Sequence, residues 1–127
     1  MSRLHVGLLA LLSLVLAAVP ALAHHSINAE FDPHKNFTVT GVLTRIDWTN
    51  PHIYWYVDVK DANGKVETYR FQGANPRGYH RAGLKKEDWK IGEVVTVSAK
   101  AAKDGTSLEG FATQFKYSDG HAIVLDH

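Results

Sequence analysis

Asp47-Trp48-Thr49-Asn50-Pro51-His52 divides a long β-like run in two and sets an aromatic ring, an Asn-Pro turn and a histidine at the joint. Proline has no N–H and pushes the residue before it towards extended backbone, so Asn50-Pro51 reads as a turn or a bulged strand entry. Upstream, Phe37 to Ile46 is rich in threonine and valine, which suit a pleated surface. Gly41 within it suggests a bulge or a sharp bend. A strand bent at a glycine can serve both halves of a small barrel. Downstream, Ile53 to Lys60 alternates. Ile53, Trp55, Val57 and Val59 share the face expected to be buried, and His52, Tyr54, Tyr56 and Asp58 share the other.

The flanking segments extend this pattern. Asp61-Ala62-Asn63-Gly64 is a hairpin loop, with Gly64 free to take positive φ, and Lys65 to Gln72 is the return strand. Asn75-Pro76 opens a helix as N-cap and first helical residue; it runs to about Ala82 and ends at Gly83. A polar connection, Leu84 to Lys90, carries Trp89 as a core plug. Strands follow at Glu93 to Lys100, Leu108 to Tyr117 and His121 to Leu125, separated by turns at Lys103 to Thr106 and Ser118 to Gly120. This order predicts an all-β chain with one short helix, a small five- to six-stranded OB-like β-barrel. A β-sandwich fits a mid-chain helix less well.

The N-terminal stretch has another character. Arg3 precedes an apolar run from Val6 to Val19, closed by Pro20 and the small-x-small site Ala21-Leu22-Ala23. Residues 1–23 therefore read as a secretory signal peptide cleaved after Ala23, which places the protein in the periplasm or outside the cell, with no stable membrane insertion after cleavage. Residues 24–36 read as an N-terminal arm, with Asp32-Pro33 as a turn signal, and 37–127 as the barrel domain. The chain has 14 Lys+Arg against 13 Asp+Glu, and Arg3 belongs to the leader, so the remainder is balanced. That balance argues against a dedicated nucleic-acid binder, and nucleic acid is not expected as a partner. The chain holds no cysteine, which excludes a disulfide staple, a thiolate metal site and a lipid-modified cysteine.

His24-His25-Ser26, Gly41, Trp48-x-Asn50-Pro51-His52, the second strand ending near Asp61 to Gly64, and the Gly92 to Val97 strand together resemble one family. It is the small exported bacterial family known as domain of unknown function 6152. The resemblance spans essentially the whole mature chain and departs at Ile27 and Asn28, where the family carries an aromatic and a small residue. It implies the fold and export, and it assigns no reaction.

Cleavage after Ala23 makes His24 the terminal residue, whose α-amine and imidazole can chelate one metal ion. His25 adds an imidazole, and His52 would complete an all-nitrogen set. Imidazoles suit copper, zinc and nickel, and copper stands highest in the Irving–Williams order. Glu30 and His121 are alternative or supporting ligands. The competing account is a flexible His-His terminus that binds metal adventitiously, with His52 a turn histidine satisfying nearby carbonyls. Trp48, Tyr54 and Tyr56 form a second candidate, an aromatic face able to stack a ligand; packing is its bland alternative. Absent cysteine, a phosphate loop or a supported Ser-His-acid order, enzymatic activity is not expected. Three readings follow: an exported metal-binding protein; a metal-free module that uses the aromatic face for an organic ligand or a protein; or a structural accessory subunit of an envelope complex.

Overall fold

The computed structural model describes Ile27 and residues 29–125, which fall into two units divided between Glu30 and Phe31. In the first, Ile27, Ala29 and Glu30 are helical. The second begins with β1, Phe31–Asp47, and continues with β2, Tyr54–Lys60, and β3, Val66–Gln72. The helix α1, Pro76–Arg81, and a 3₁₀ turn, Lys86–Asp88, lead to β4, Val94–Ala102; β5, Glu109–Tyr117, and β6, Ala122–Val124, complete the chain.

β1 joins both halves. Its N-terminal part pairs with β4 and its C-terminal part with β2, and Val42 lies opposite both Val94 and Asp58. The sheet order is β3-β2-β1-β4-β5-β6, with β3 also paired to β5. Five strands are thereby hydrogen-bonded in a ring. The β3–β5 pairing is parallel over Arg70–Gln72 and Glu109–Phe111, and β6 takes the next part of β5, Gln114–Lys116. The ring and its mid-chain helix have the OB-like architecture that the sequence implies.

Three local readings need correction. β1 starts at Phe31 and not at Phe37, and Asp32-Pro33 lies within the strand. The Asp-Pro signal is spent on an irregularity: pairing with β4 shifts between Phe31 and Asn36, and the Asp32 carboxylate accepts from the His34 N–H at 2.9 Å. The shift in the β1–β2 ladder falls between Leu43 and Arg45, not at Gly41. Gly41 answers a different need. A Cβ there would strike the Asp58 carbonyl oxygen and lie 3.0 Å from Val57 Cγ1, so the glycine lets β1 and β2 approach.

The hairpin and helix follow their sequence signals. The Asp61 carboxylate accepts from Asn63 and Lys65 N–H groups at 2.8 and 2.9 Å, and Gly64 takes φ 81°. Asn75 accepts from Gly78 N–H at 2.8 Å. At the other end, Leu84 N–H reaches Tyr79 O at 2.9 Å and Gly83 N–H reaches His80 O at 3.0 Å, with Gly83 at φ 81°. These two bonds make a Schellman cap. The cap fixes α1 so that Tyr79 enters the core, where its hydroxyl accepts from Ala74 N–H at 3.0 Å and burial pushes its pKa up to about 12.

The core is aromatic. Trp55 and Phe115 are fully buried with ring centroids 4.9 Å apart, and Trp89 lies 5.2 Å from Trp55. Trp89 thus plugs the barrel as its position in the polar connection suggests. Val95, Val97 and Ala99 share the inward face of β4. Among the described residues, no helix is long and apolar enough to cross a membrane.

Candidate functional site

The alternation of β2 that buries Trp55 and Val57 turns Tyr54, Tyr56 and Asp58 outwards, where each is half-buried. The hairpin register sets Tyr56 opposite Arg70 and Tyr54 opposite Gln72. On the other side Tyr56 faces Arg45, and beyond β3 Arg70 faces Glu109 of β5. One row therefore crosses four strands: Arg45, Tyr56, Arg70, Glu109. The adjacent row holds Asp47, Tyr54 and Gln72.

Side chains within these rows form two similar groups. The Arg45 guanidinium lies over the Tyr56 ring, 4.6 Å from its centroid, and Arg70 lies over Tyr54 at 5.0 Å. Arg45 donates to both carboxylate oxygens of Asp47, from Nε at 2.8 Å and Nη2 at 2.5 Å. Arg70 Nη2 donates to Glu109 Oε1 at 2.6 Å. The hydrogen bond from Arg45 holds the Asp47 carboxyl below the usual carboxylate range, and the same bond raises the Arg45 pKa. Tyr54 donates to Gln72 Oε1 at 3.4 Å. Just before Glu109, Leu108 takes the left-handed φ of 62°, and its carbonyl accepts from Arg70 N–H at 2.9 Å, which anchors the start of β5 on β3. That conformation costs a side-chain-bearing residue about 1 kcal/mol.

Trp48 stands apart from this face. Its ring packs 6.2 Å from Tyr79 and 5.6 Å from Trp89, as a half-buried extension of the core. The aromatic set expected from sequence thus reduces to Tyr54 and Tyr56.

The expected metal ligands distribute as follows. His24 and His25 lie outside the described residues. His52 is half-buried, with Nδ1 3.2 Å from the Gly73 carbonyl oxygen. Glu30 is exposed and belongs to the other unit. His121 sits at the β5–β6 turn and stacks on Tyr117 at 6.1 Å; it lines a cleft of about 500 Å³ with Glu87, Asp88, Glu93 and Asp119. Burial raises the Tyr117 pKa. Among the described residues, no group of three His, Asp or Glu side chains is placed to hold a metal ion.

Sequence reasoning missed Arg45, Arg70, Asp47, Glu109 and Gln72. Extending the register of the Asp61 to Lys65 hairpin would have placed Arg70 opposite Tyr56. Glu109 had no such signal, because its pairing with Arg70 spans 39 positions.

The ring of strands and the outward β2–β3 face define an OB-type fold. The chain belongs to the family described as "Family of unknown function (DUF6152)", which matches residues 10–112. No curated protein matches it. A crystal structure of Rim1, a mitochondrial single-stranded DNA binding protein from S. cerevisiae, aligns with a TM-score of 0.50 and 14% identity, covering 68% of this chain and 97% of that one. The selenomethionine-labelled form of Rim1 gives 0.49 and 15%, with 68% and 96% covered. The expectation, drawn from charge balance, that nucleic acid is not a partner is corrected by this match. A whole-chain charge is blind to two arginines set beside two tyrosines on one face.

Proposed function

We propose that the protein is an OB-type binding module that takes an extended single-stranded nucleic acid across the outer face of β1, β2 and β3. The carrying observation is the row Arg45–Tyr56–Arg70–Glu109 with Tyr54 beside it. Flat rings next to guanidinium groups suit a polymer in which bases alternate with phosphates. The strand 2–3 face is where OB folds commonly hold oligonucleotides and oligosaccharides, and Rim1, which shares the fold, is a single-stranded DNA binding protein.

The test is fluorescence anisotropy with labelled oligo(dT). Each of Tyr54→Ala and Tyr56→Ala should weaken binding about 5- to 150-fold, the range of one lost base stack. Thermal midpoints should change little, because both rings lie outside the core. With two arginines as the phosphate contacts, log K should fall with log salt at a slope of about −1.4. Wild-type affinity in both variants would reject the reading.

A second reading keeps the metal hypothesis. It rests on His52 Nδ1 beside the Gly73 carbonyl. A carbonyl only accepts, so Nδ1 is the donor, which leaves Nε2 as the nitrogen to face a metal ion, the arrangement common in metal-ligating histidines. His24 and His25 would supply the remaining nitrogens, to copper in preference to zinc or nickel, in an exported protein processed after Ala23. A Cu(II) titration of chain beginning at His24 should lose one nitrogen ligand in His52→Ala. Identical spectra and affinity would reduce the site to a His-His terminus.

A further inference from the structure

We propose that Asp47 and Glu109 are built-in counter-ions which the anionic groups of a ligand displace, so that these two carboxylates set the affinity of the tyrosine face. This rests on the nucleic-acid reading above. The face carries the same three-part arrangement twice: a tyrosine ring, a guanidinium laid over it, and a carboxylate gripping that guanidinium. Asp47 occupies the Nε–Nη2 edge of Arg45, one of the two edges with which a guanidinium takes a phosphate in a two-pronged grip. Both carboxylates come from the sheet itself, Asp47 two positions along β1 and Glu109 across the β3–β5 pairing. They are therefore in place before any ligand arrives.

The pairs are exposed enough to exchange. Side-chain exposures are 62% and 31% for Arg45 and Asp47, and 46% and 35% for Arg70 and Glu109. Ion pairs in such contact with water contribute little to stability, so a phosphate that takes the place of a carboxylate meets a low penalty. A freed guanidinium or the ring beneath it then offers a plane to the neighbouring base. The opposed role would be positioning, in which the carboxylates hold the arginines where a ligand needs them. The two roles predict opposite signs.

The experiment compares oligo(dT) anisotropy for wild type, Asp47→Asn, Glu109→Gln and the double variant over a range of salt concentrations, with Tyr54→Ala placed in each background. Removal of both counter-ions should tighten binding about tenfold at low salt, with thermal midpoints within a few degrees of wild type. Tighter binding that is still lost on Tyr54→Ala supports the proposal, including the case where only the double variant binds measurably. Unchanged or weaker binding in the double variant, with wild-type binding still tyrosine-dependent, overturns the counter-ion role and leaves the nucleic-acid reading standing. No binding by any variant, or binding indifferent to Tyr54→Ala, overturns both.

Discussion

Trp55→Ala should lower the unfolding free energy by about 3–5 kcal/mol, the range for removing a large aromatic side chain from a packed core. The side chain is fully buried, with ring neighbours Phe115 at 4.9 Å, Trp89 at 5.2 Å and Tyr79 at 5.9 Å. Those neighbours come from β5, the 3₁₀ connection and α1, so the cavity would open where three elements meet on β2. A loss of this size is a large fraction of the stability of a small domain, and urea melts should show a transition shifted far towards zero denaturant. Among the described residues, the buried Nε1 atoms of Trp55 and Trp89 have no hydrogen-bond partner, which takes a little from the expected loss. A change under 1 kcal/mol would mean that the cluster repacks freely and that Trp55 does not organise it.

Gly41→Ala is the second large effect, expected at about 2–3 kcal/mol, as for overpacking against groups that cannot rotate aside. The added methyl would meet the Asp58 carbonyl oxygen and carbon, the latter at 2.9 Å, and these are backbone atoms fixed in the β1–β2 ladder. The clash falls one residue before Val42, where β1 passes from pairing with β4 alone to pairing with both neighbours. Gly64→Ala is the contrast: among the described residues nothing lies within 4 Å of its Cβ position, and the positive φ opposes it, at about 1 kcal/mol. Equal losses in the two variants, measured by urea melts, would show that the close approach at Gly41 carries no special weight.

Much of the frame was legible because its signals are local. The alternation from Ile53 to Val59 separates the inward tryptophan from the outward tyrosines, Asn75-Pro76 starts α1 and Gly83 ends it. What misled was also local. Asp32-Pro33 has turn chemistry, and the structure uses it inside a strand, where an irregular register tolerates a residue without an N–H. The same holds for Trp48, which sits beside the tyrosines in sequence and turns to the core in space. The arginine–carboxylate pairs were half legible. Arg45 and Asp47 are two apart on one strand, whereas Arg70 and Glu109 meet only through the parallel closure of the ring. Net charge was the weakest guide, because it sums over the whole chain what the sheet sorts onto separate faces.

The clustering of the indoles also has a spectroscopic consequence. All three tryptophans of the chain, Trp48, Trp55 and Trp89, gather in one cluster, with Trp89 5.6 Å from the first and 5.2 Å from the second. Their coupled rings should give a strong near-ultraviolet dichroism that vanishes on unfolding. Tyr54 and Tyr56 point to the other side of β2. Tryptophan emission is therefore a reporter of the interior, and occupancy of the outer face is better followed through a label on the ligand.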